Sequence, residues 1–174
     1  MHVAALAETH VPAYRELMLE AYEQAADAFT TTAEERRAEP LSWWVKRVGS
    51  ETGLSRAFGA WSGPELVGSV ALEFTAEPKT RHSALVLGMY VKPKLRGRGV
   101  GKLLVHVAID SASSNPGLRV LTLTLTEGND PALRLYKAAG FVVWGTEPLA
   151  IHTPAGFKGK VHMAKVLHHA GAAA

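Results

Sequence analysis

The sequence predicts an α+β fold: one mixed, mainly antiparallel sheet of about six or seven strands, with helices covering both faces. Two observations carry this. Apolar residues recur at helical spacing in four segments and at strand spacing in several others, and the two kinds are interleaved along the chain. One run, "SALVLGMYV" (83–91), is apolar on both faces, as a strand in the middle of a covered sheet must be.

Taken in order, "MHVAAL" at the N-terminus offers a further strand. Residues 8–28 place Val11, Tyr14, Leu17, Met18, Tyr22 and Ala25 on one helical face. "TTTAEERRAEPLSWWVKRV" is a second helical segment, with Thr31 or Thr32 as its cap and Glu34 and Glu35 in the first turn. Pro40 starts a fresh helical turn leading to Trp43 and Trp44. "RAFGAWSGPELVGSVALEF" reads as two strands joined by a turn at Ser62, Gly63 and Pro64. In the second of these, strict alternation puts Leu66, Gly68, Val70, Leu72 and Phe74 on one face. Val67, Ser69, Ala71 and Glu73 fall on the other.

Beyond the central strand, Val100, Leu103, Leu104, Val107 and Ala108 mark an amphipathic helix ending near Ser113. "LRVLTLTLT" (118–126) alternates Leu and Thr as a strand. "NDPALRLYKAAGF" is a short helix capped by Asn129 or Asp130, with Pro131 in its first turn and Gly140 closing it. "FVVWG" and "GKVHMAKVL" supply closing strands. No repeat or linker interrupts the pattern, so a single domain is expected over 1–168, with 169–174 a disordered tail.

The 174 residues are 47% hydrophobic and 20% charged, with no cysteine. That excludes a disulfide framework and thiolate metal sites. There is no basic-then-apolar leader pattern, and no apolar run approaches the ~20 residues of a membrane helix. The expectation is a cytoplasmic protein that engages no membrane. The net charge is +3, from 19 basic and 16 acidic residues. Without a nucleic-acid motif or a stacking pattern of aromatics, it points to no nucleic-acid partner. The eight histidines form no H-E-x-x-H or similar set, so no metal is expected.

Five basic residues are concentrated in one stretch: Lys92, Lys94, Arg96, Arg98 and Lys102, with no acid between them. A charge run is ordinarily a solvated loop. Here it is studded with glycine and lies between a buried strand and a helix N-terminus. The first-turn amides of a helix lack intrahelical partners and carry the positive end of the dipole, and glycine lets a bulky anion approach them. The pattern suits phosphate, above all pyrophosphate. A Walker A loop fails, because Arg96 stands where its first glycine should be and Leu103 where its Ser/Thr should be. The dinucleotide fingerprint fails at Lys102. Arg96-Gly97-Arg98-Gly99-Val100-Gly101 does match an [RQ]-x-x-G-x-[GA] loop.

That loop, set between a strand and an amphipathic helix, resembles the acyl-CoA pyrophosphate loop of the GNAT superfamily of N-acetyltransferases. The likeness continues through the strand that ends before Asn129 and the run Asn129, Ala132, Leu135, Tyr136, Gly140, Phe141, so that it covers roughly residues 83–145. The resemblance implies a GNAT-like sheet and transfer of an acetyl group from acetyl-CoA to a primary amine, by direct attack in a ternary complex. A non-catalytic acyl-CoA-binding regulatory module is the alternative. It further implies that the backbone of Met89, Tyr90 and Val91 pairs with the pantetheine arm and that the amides from Arg98 to Lys102, on the loop with Gly97, Gly99, Val100 and Gly101, hold the pyrophosphate. Arg96 would support the loop or meet a phosphate. Asn129 would bond the pantetheine amide, or serve only as a helix cap. Tyr136 would protonate the leaving thiolate, or serve only as a packed helix residue. An oxyanion donor is implied beside the central strand, near Tyr90.

The base is less determined. Glu73 and Glu127 are the candidate carboxylates, Glu73 the preferred one, and water without a single base is the third option. The expected partners are acetyl-CoA and an amine, and a homodimer is left open. The acceptor is not specified, although "AEERRAEPLSWWVKRV" stands where it would wall the acceptor site. At least one of Trp43 and Trp44 is expected in the core.

Overall fold

The computed structural model describes residues 1–49 and 53–168. The expected tail, 169–174, lies outside the described residues. Seven strands of the described chain form one sheet: β1 (His2–Ala5), β2 (Ser55–Ser62), β3 (Glu65–Phe74), β4 (Ser83–Val91), β5 (Val120–Thr126), β6 (Val142–Thr153) and β7 (Gly156–Val166). Their spatial order is β1-β2-β3-β4-β5-β7-β6. All neighbours are antiparallel except β4 and β5.

Five α-helices accompany the sheet: α1 (Val11–Gln24), α2 (Ala33–Ala38), α3 (Leu41–Gly49), α4 (Val100–Ser113) and α5 (Asp130–Ala138). The second helical segment is thus two helices, because Pro40 ends one and opens the next. Thr32 caps α2 through a reciprocal box. Its hydroxyl accepts from the Glu35 amide at 3.2 Å, and Glu35 Oε2 accepts from the Thr32 amide at 2.7 Å.

The helices cover both faces. On one side, Tyr14, Leu17, Met18, Trp44 and Val48 pack over Ala57, Leu66 and Ala71 of the sheet. On the other, Leu104, Val105, Tyr136 and Phe141 pack over Val70, Leu72, Leu121 and Met163. Leu104 is fully buried, so its truncation to alanine should cost about 2–5 kcal/mol. On α4 the buried stripe is Val100, Leu104, Val105, Ala108 and Ala112. Val105 is buried in place of the expected Leu103, which is half exposed.

Strict alternation on β3 fails at one point. The β2–β3 register slips by a residue between the pairs Ala60↔Gly68 and Trp61↔Leu66. A bulge there reverses the parity, so Leu66 joins Ala71 on the α1 face and Val67 joins Val70 and Leu72 on the α4 face. The closing strands are also longer than expected, because "TEPLAIH" continues β6 to a turn at Pro154 and Ala155.

Two irregularities of β4 shape the centre of the molecule. First, β4 carries a bulge: Ser69 pairs with Tyr90 and Ala71 with Leu87, so three steps on β4 oppose two on β3. Gly88 takes φ 60°, a left-handed conformation that suits glycine. The buried Ser69 hydroxyl donates to the Gly88 carbonyl at 2.9 Å and holds the bulge. Second, β4 pairs with β5 only at Ser83↔Val120, Ala84↔Leu121 and Leu85↔Thr122. Beyond Leu85 the two strands part, and a wedge opens in the middle of the sheet.

Candidate active site

The wedge joins two cavities. One, of about 480 Å³, runs along Met89, Tyr90 and Val91 to the loop residues Arg96, Gly97 and Gly99 to Lys102. The other, of about 290 Å³, lies between Leu85–Met89 of β4, Tyr136 of α5, and the helical wall of Tyr14, Tyr22, Arg36, Trp43 and Arg47. Met89, Asn129 and Ala132 line both. Of the site residues expected from sequence, the structure gathers all but Arg98 and the two candidate bases, Glu73 and Glu127, around this space. Arg98 is on the loop but exposed and outside the groove, and Glu73 lies in an adjoining groove with Trp43, Arg47 and Phe74.

The loop presents amides rather than side chains. Gly99 is the N-cap of α4 at φ 82°, with no side-chain capping bond. The first backbone N–H to find a helical acceptor is that of Leu103, on the Gly99 carbonyl at 3.0 Å. The N–H groups of Gly97 to Lys102 have no acceptor among the described residues. A chain of free amides at the positive end of a 14-residue helix has the geometry that favours an anion. Gly101 permits it sterically: a Cβ there would already sit 3.2 Å from Met89 Cε and 3.3 Å from Leu135 Cδ2.

The five basic residues divide by role. Lys92 is engaged with Glu65 at 2.6 Å and Glu20 at 3.5 Å. Arg96 donates from Nε to the Val91 carbonyl at 2.9 Å and stacks over Tyr90, so it braces the loop against the end of β4. Lys94, Arg98 and Lys102 have no ion pair among the described residues, and of the three Lys102 lines the groove.

Tyr136 is 3% exposed, and its ring packs edge-on against Phe141. Its hydroxyl has no hydrogen-bond partner among the described residues, and burial pushes its pKa well above the ordinary phenol value. It therefore stays protonated across the neutral range. Packing and a proton-bearing hydroxyl coexist in one side chain. Asn129 likewise does two things. Its Oδ1 caps α5 by accepting from the Ala132 amide at 3.3 Å, and its side chain lines the junction of the two cavities.

A family model, the acetyltransferase (GNAT) family, matches residues 13–141, which include the bulge, the wedge, the amide loop and Tyr136. The chain belongs to this family. A curated relative is the L-amino acid N-acetyltransferase AaaT of Escherichia coli, 26% identical over 103 residues, covering 59% of this chain and 62% of that protein. The chain thus spans less than two thirds of the length of the curated relatives it matches. Among solved structures, a GNAT-family acetyltransferase from Streptococcus pneumoniae superposes with a TM-score of 0.78 at 20% identity, covering 96% of this chain and 99% of that one. The yncA structure from Salmonella typhimurium, which holds acetyl-CoA, gives 0.80 at 19% identity over 100% and 98%. These last two establish the GNAT fold.

Within that fold, the candidate bases sit apart. Glu73 pairs across the sheet with Leu85 and lies on the α3 face, where its Oε2 is 2.5 Å from Arg47 Nη1. Glu127 Oε2 accepts from the Gly159 amide at 3.0 Å, which ties it to the β6–β7 hairpin. The segment 33–48, expected as a wall of the acceptor site, lines the second cavity through Arg36, Trp43, Trp44 and Arg47, but the sequence singles out neither arginine and marks Tyr14 and Tyr22 of α1 only as part of a helix's apolar face. Sequence reasoning missed the Ser69–Gly88 bond, for which a lone glycine inside an apolar strand was the available signal. Among the described residues, no group of three or more histidine or acidic side chains is placed to share a metal ion, and no helix is long and apolar enough to cross a membrane.

Proposed function

We propose that this protein is an N-acetyltransferase that moves the acetyl group of acetyl-CoA to a primary amine, within a ternary complex, on the domain formed by residues 1–168. The observation that carries this is the wedge itself. It brings an amide loop, an unpaired strand edge and a buried tyrosine to two adjoining cavities that share Met89, Asn129 and Ala132. The pyrophosphate rests on the amides from Arg98 to Lys102. The pantetheine arm takes the place of a β-strand against Met89, Tyr90 and Val91, where β5 has moved away. The acetyl group then lies at the junction, near Tyr136 and the Gly88 bulge. The name of the Escherichia coli relative and the acetyl-CoA of the Salmonella structure support the donor and the reaction class.

The amine nitrogen attacks the thioester carbonyl, and the C–N bond forms. The oxyanion collapses, the C–S bond breaks, and the thiolate takes the Tyr136 proton. The amine's surplus proton leaves through water to Glu73, whose groove shares Trp43 and Arg47 with the acceptor cavity. The protein acts as a homodimer across the outermost strand β6, where exposed Val142, Trp144 and Leu149 accompany an unpaired edge. Thiol release from acetyl-CoA with a panel of primary amines tests the activity. Acetyl-CoA binding with no amine-dependent thiol release would instead leave a binding module.

A further inference from the structure

The cavity beyond the thioester junction has an unusual balance of donors and acceptors. Two charged side chains line it, and both are arginines: Arg36 of α2 and Arg47 of α3. Among the described residues no aspartate or glutamate lines it. Both guanidinium groups are fixed on one indole, with their Cζ atoms 4.5 Å and 4.9 Å from the Trp43 ring centroid. Each is anchored from outside by one acid, Glu39 at 3.2 Å from Arg36 and Glu73 at 2.5 Å from Arg47. Those acids line neighbouring grooves. A guanidinium has five N–H donors, so one such bond leaves most of them free.

Other groups tip the balance further. Arg36 Nε and Trp44 Nε1 are buried donors with no acceptor among the described residues, and both belong to residues lining this cavity. Thr30, Thr31 and Tyr14 add hydroxyls. Burial pushes the Tyr22 phenol up, and Arg36, by charge and hydrogen bond, and Arg47, by charge, pull it down.

We infer that the acceptor carries an oxyanion beside its amine, a carboxylate or a tetrahedral acid group, and that Arg36 and Arg47 read it. This rests on the acetyltransferase proposal above and narrows its substrate class. The anion docks on the guanidinium pair while the amine points along the cavity to the junction at Tyr136. A partly desolvated guanidinium gains more from an oxyanion than it would in water. A diamine or polyamine, by contrast, would bring a second ammonium against two guanidinium groups with no carboxylate in the cavity to offset it.

The test uses the whole protein, acetyl-CoA and matched acceptor pairs: L-leucine with isoamylamine, L-phenylalanine with phenethylamine, aminomethylphosphonate with methylamine, and putrescine alone. The amino acid and phosphonate arms separate the two anion sources. The acid-bearing member of at least one pair should be preferred in kcat/KM by about tenfold or more, the order expected for charge-assisted hydrogen bonds. Arg36→Gln and Arg47→Gln should shrink that preference at least about fivefold through the acceptor KM, with the acetyl-CoA KM unmoved. If either variant fails to fold, the paired comparison on the unaltered protein decides. If no acid-bearing amine is preferred over its matched partner, or if putrescine is turned over as well as the best acid-bearing amine, this inference is overturned while the acetyltransferase proposal stands. Bound acetyl-CoA with no acceptor acetylated overturns both.

Discussion

Replacing Tyr136 with phenylalanine removes one oxygen from the junction of the two cavities and leaves the ring. The ring is 3% exposed and stacks edge-on with Phe141 at 5.5 Å, contacts that phenylalanine keeps. The hydroxyl bonds no described residue, so its loss orphans no partner, and the stability change should stay under about 1 kcal/mol. The kinetic effect should be much larger. A general acid typically contributes about 10²–10⁴-fold, which is about 3–5 kcal/mol of the barrier. Because burial raises the phenol's pKa, the native group is protonated wherever the assay is run near neutrality.

The assay is thiol release at saturating amine and acetyl-CoA, paired with calorimetric acetyl-CoA binding and thermal unfolding of the same sample. The expected result is a turnover number lower by at least about a hundredfold, with acetyl-CoA affinity and unfolding temperature near those of the unaltered protein. A turnover number within about threefold would assign Tyr136 to packing alone. So would a loss fully matched by weaker acetyl-CoA binding, since a proton donor to the leaving thiolate acts in the transition state and not in the bound ground state.

Gly101→Glu should abolish acetyl-CoA binding in a folded protein, since the new side chain must pass Met89 and Leu135 and puts negative charge on the amide cradle; unchanged calorimetric affinity would remove the loop from the site. Glu73→Gln should lower turnover with acetyl-CoA affinity little changed, and unaltered turnover would eliminate Glu73 as the base. Burial, then the hydrogen bond to Glu20 at 3.0 Å, pushes the Tyr90 phenol from its ordinary value of 10.0 up to about 12. Its contribution to stability is therefore complete below pH 10 and lost between 10 and about 12. Tyr90→Phe should flatten the fall of the denaturation midpoint across that window, and an identical slope would exclude Tyr90 as its cause.

The donor half of this site was legible in the sequence because it is built from local backbone. Gly97, Gly99 and Gly101 fall within one turn of each other. Such amides are placed to meet an anion where a strand feeds a helix, and the run from Asn129 to Phe141 adds the weight that six residues alone lack. Asn129 and Tyr136 share a single short helix, and their spacing fixes their relation before any tertiary packing is known. The bulges were harder to read. Alternation cannot show where a strand gains a residue, so it puts Leu66 and Val67 on each other's faces, and only the pairing with β2 carries the slip. Only the parting of β4 from β5 after Leu85 turns these pieces into a cavity, and that depends on where two strands distant in sequence stop pairing.

The acceptor half lies at the opposite extreme. Arg36 and Arg47 are eleven positions apart on different helices, separated by Pro40, and no periodicity relates them. Taken singly, each is an ordinary surface cation with an acid nearby. What relates them is Trp43, one turn before Arg47 on α3, whose ring both guanidinium groups share, while Trp44 beside it turns fully into the core. Adjacent helical residues point about 100° apart, so the Trp-Trp pair divides its labour: Trp44 is buried in the core and Trp43 carries both guanidinium groups. The acceptor chemistry thus depends on a tertiary arrangement of α2 and α3 that the core, through Trp44 and Val48, holds in place. Substitutions that loosen this packing should disturb acceptor choice before they disturb acetyl-CoA binding, which rests on the far side of the wedge.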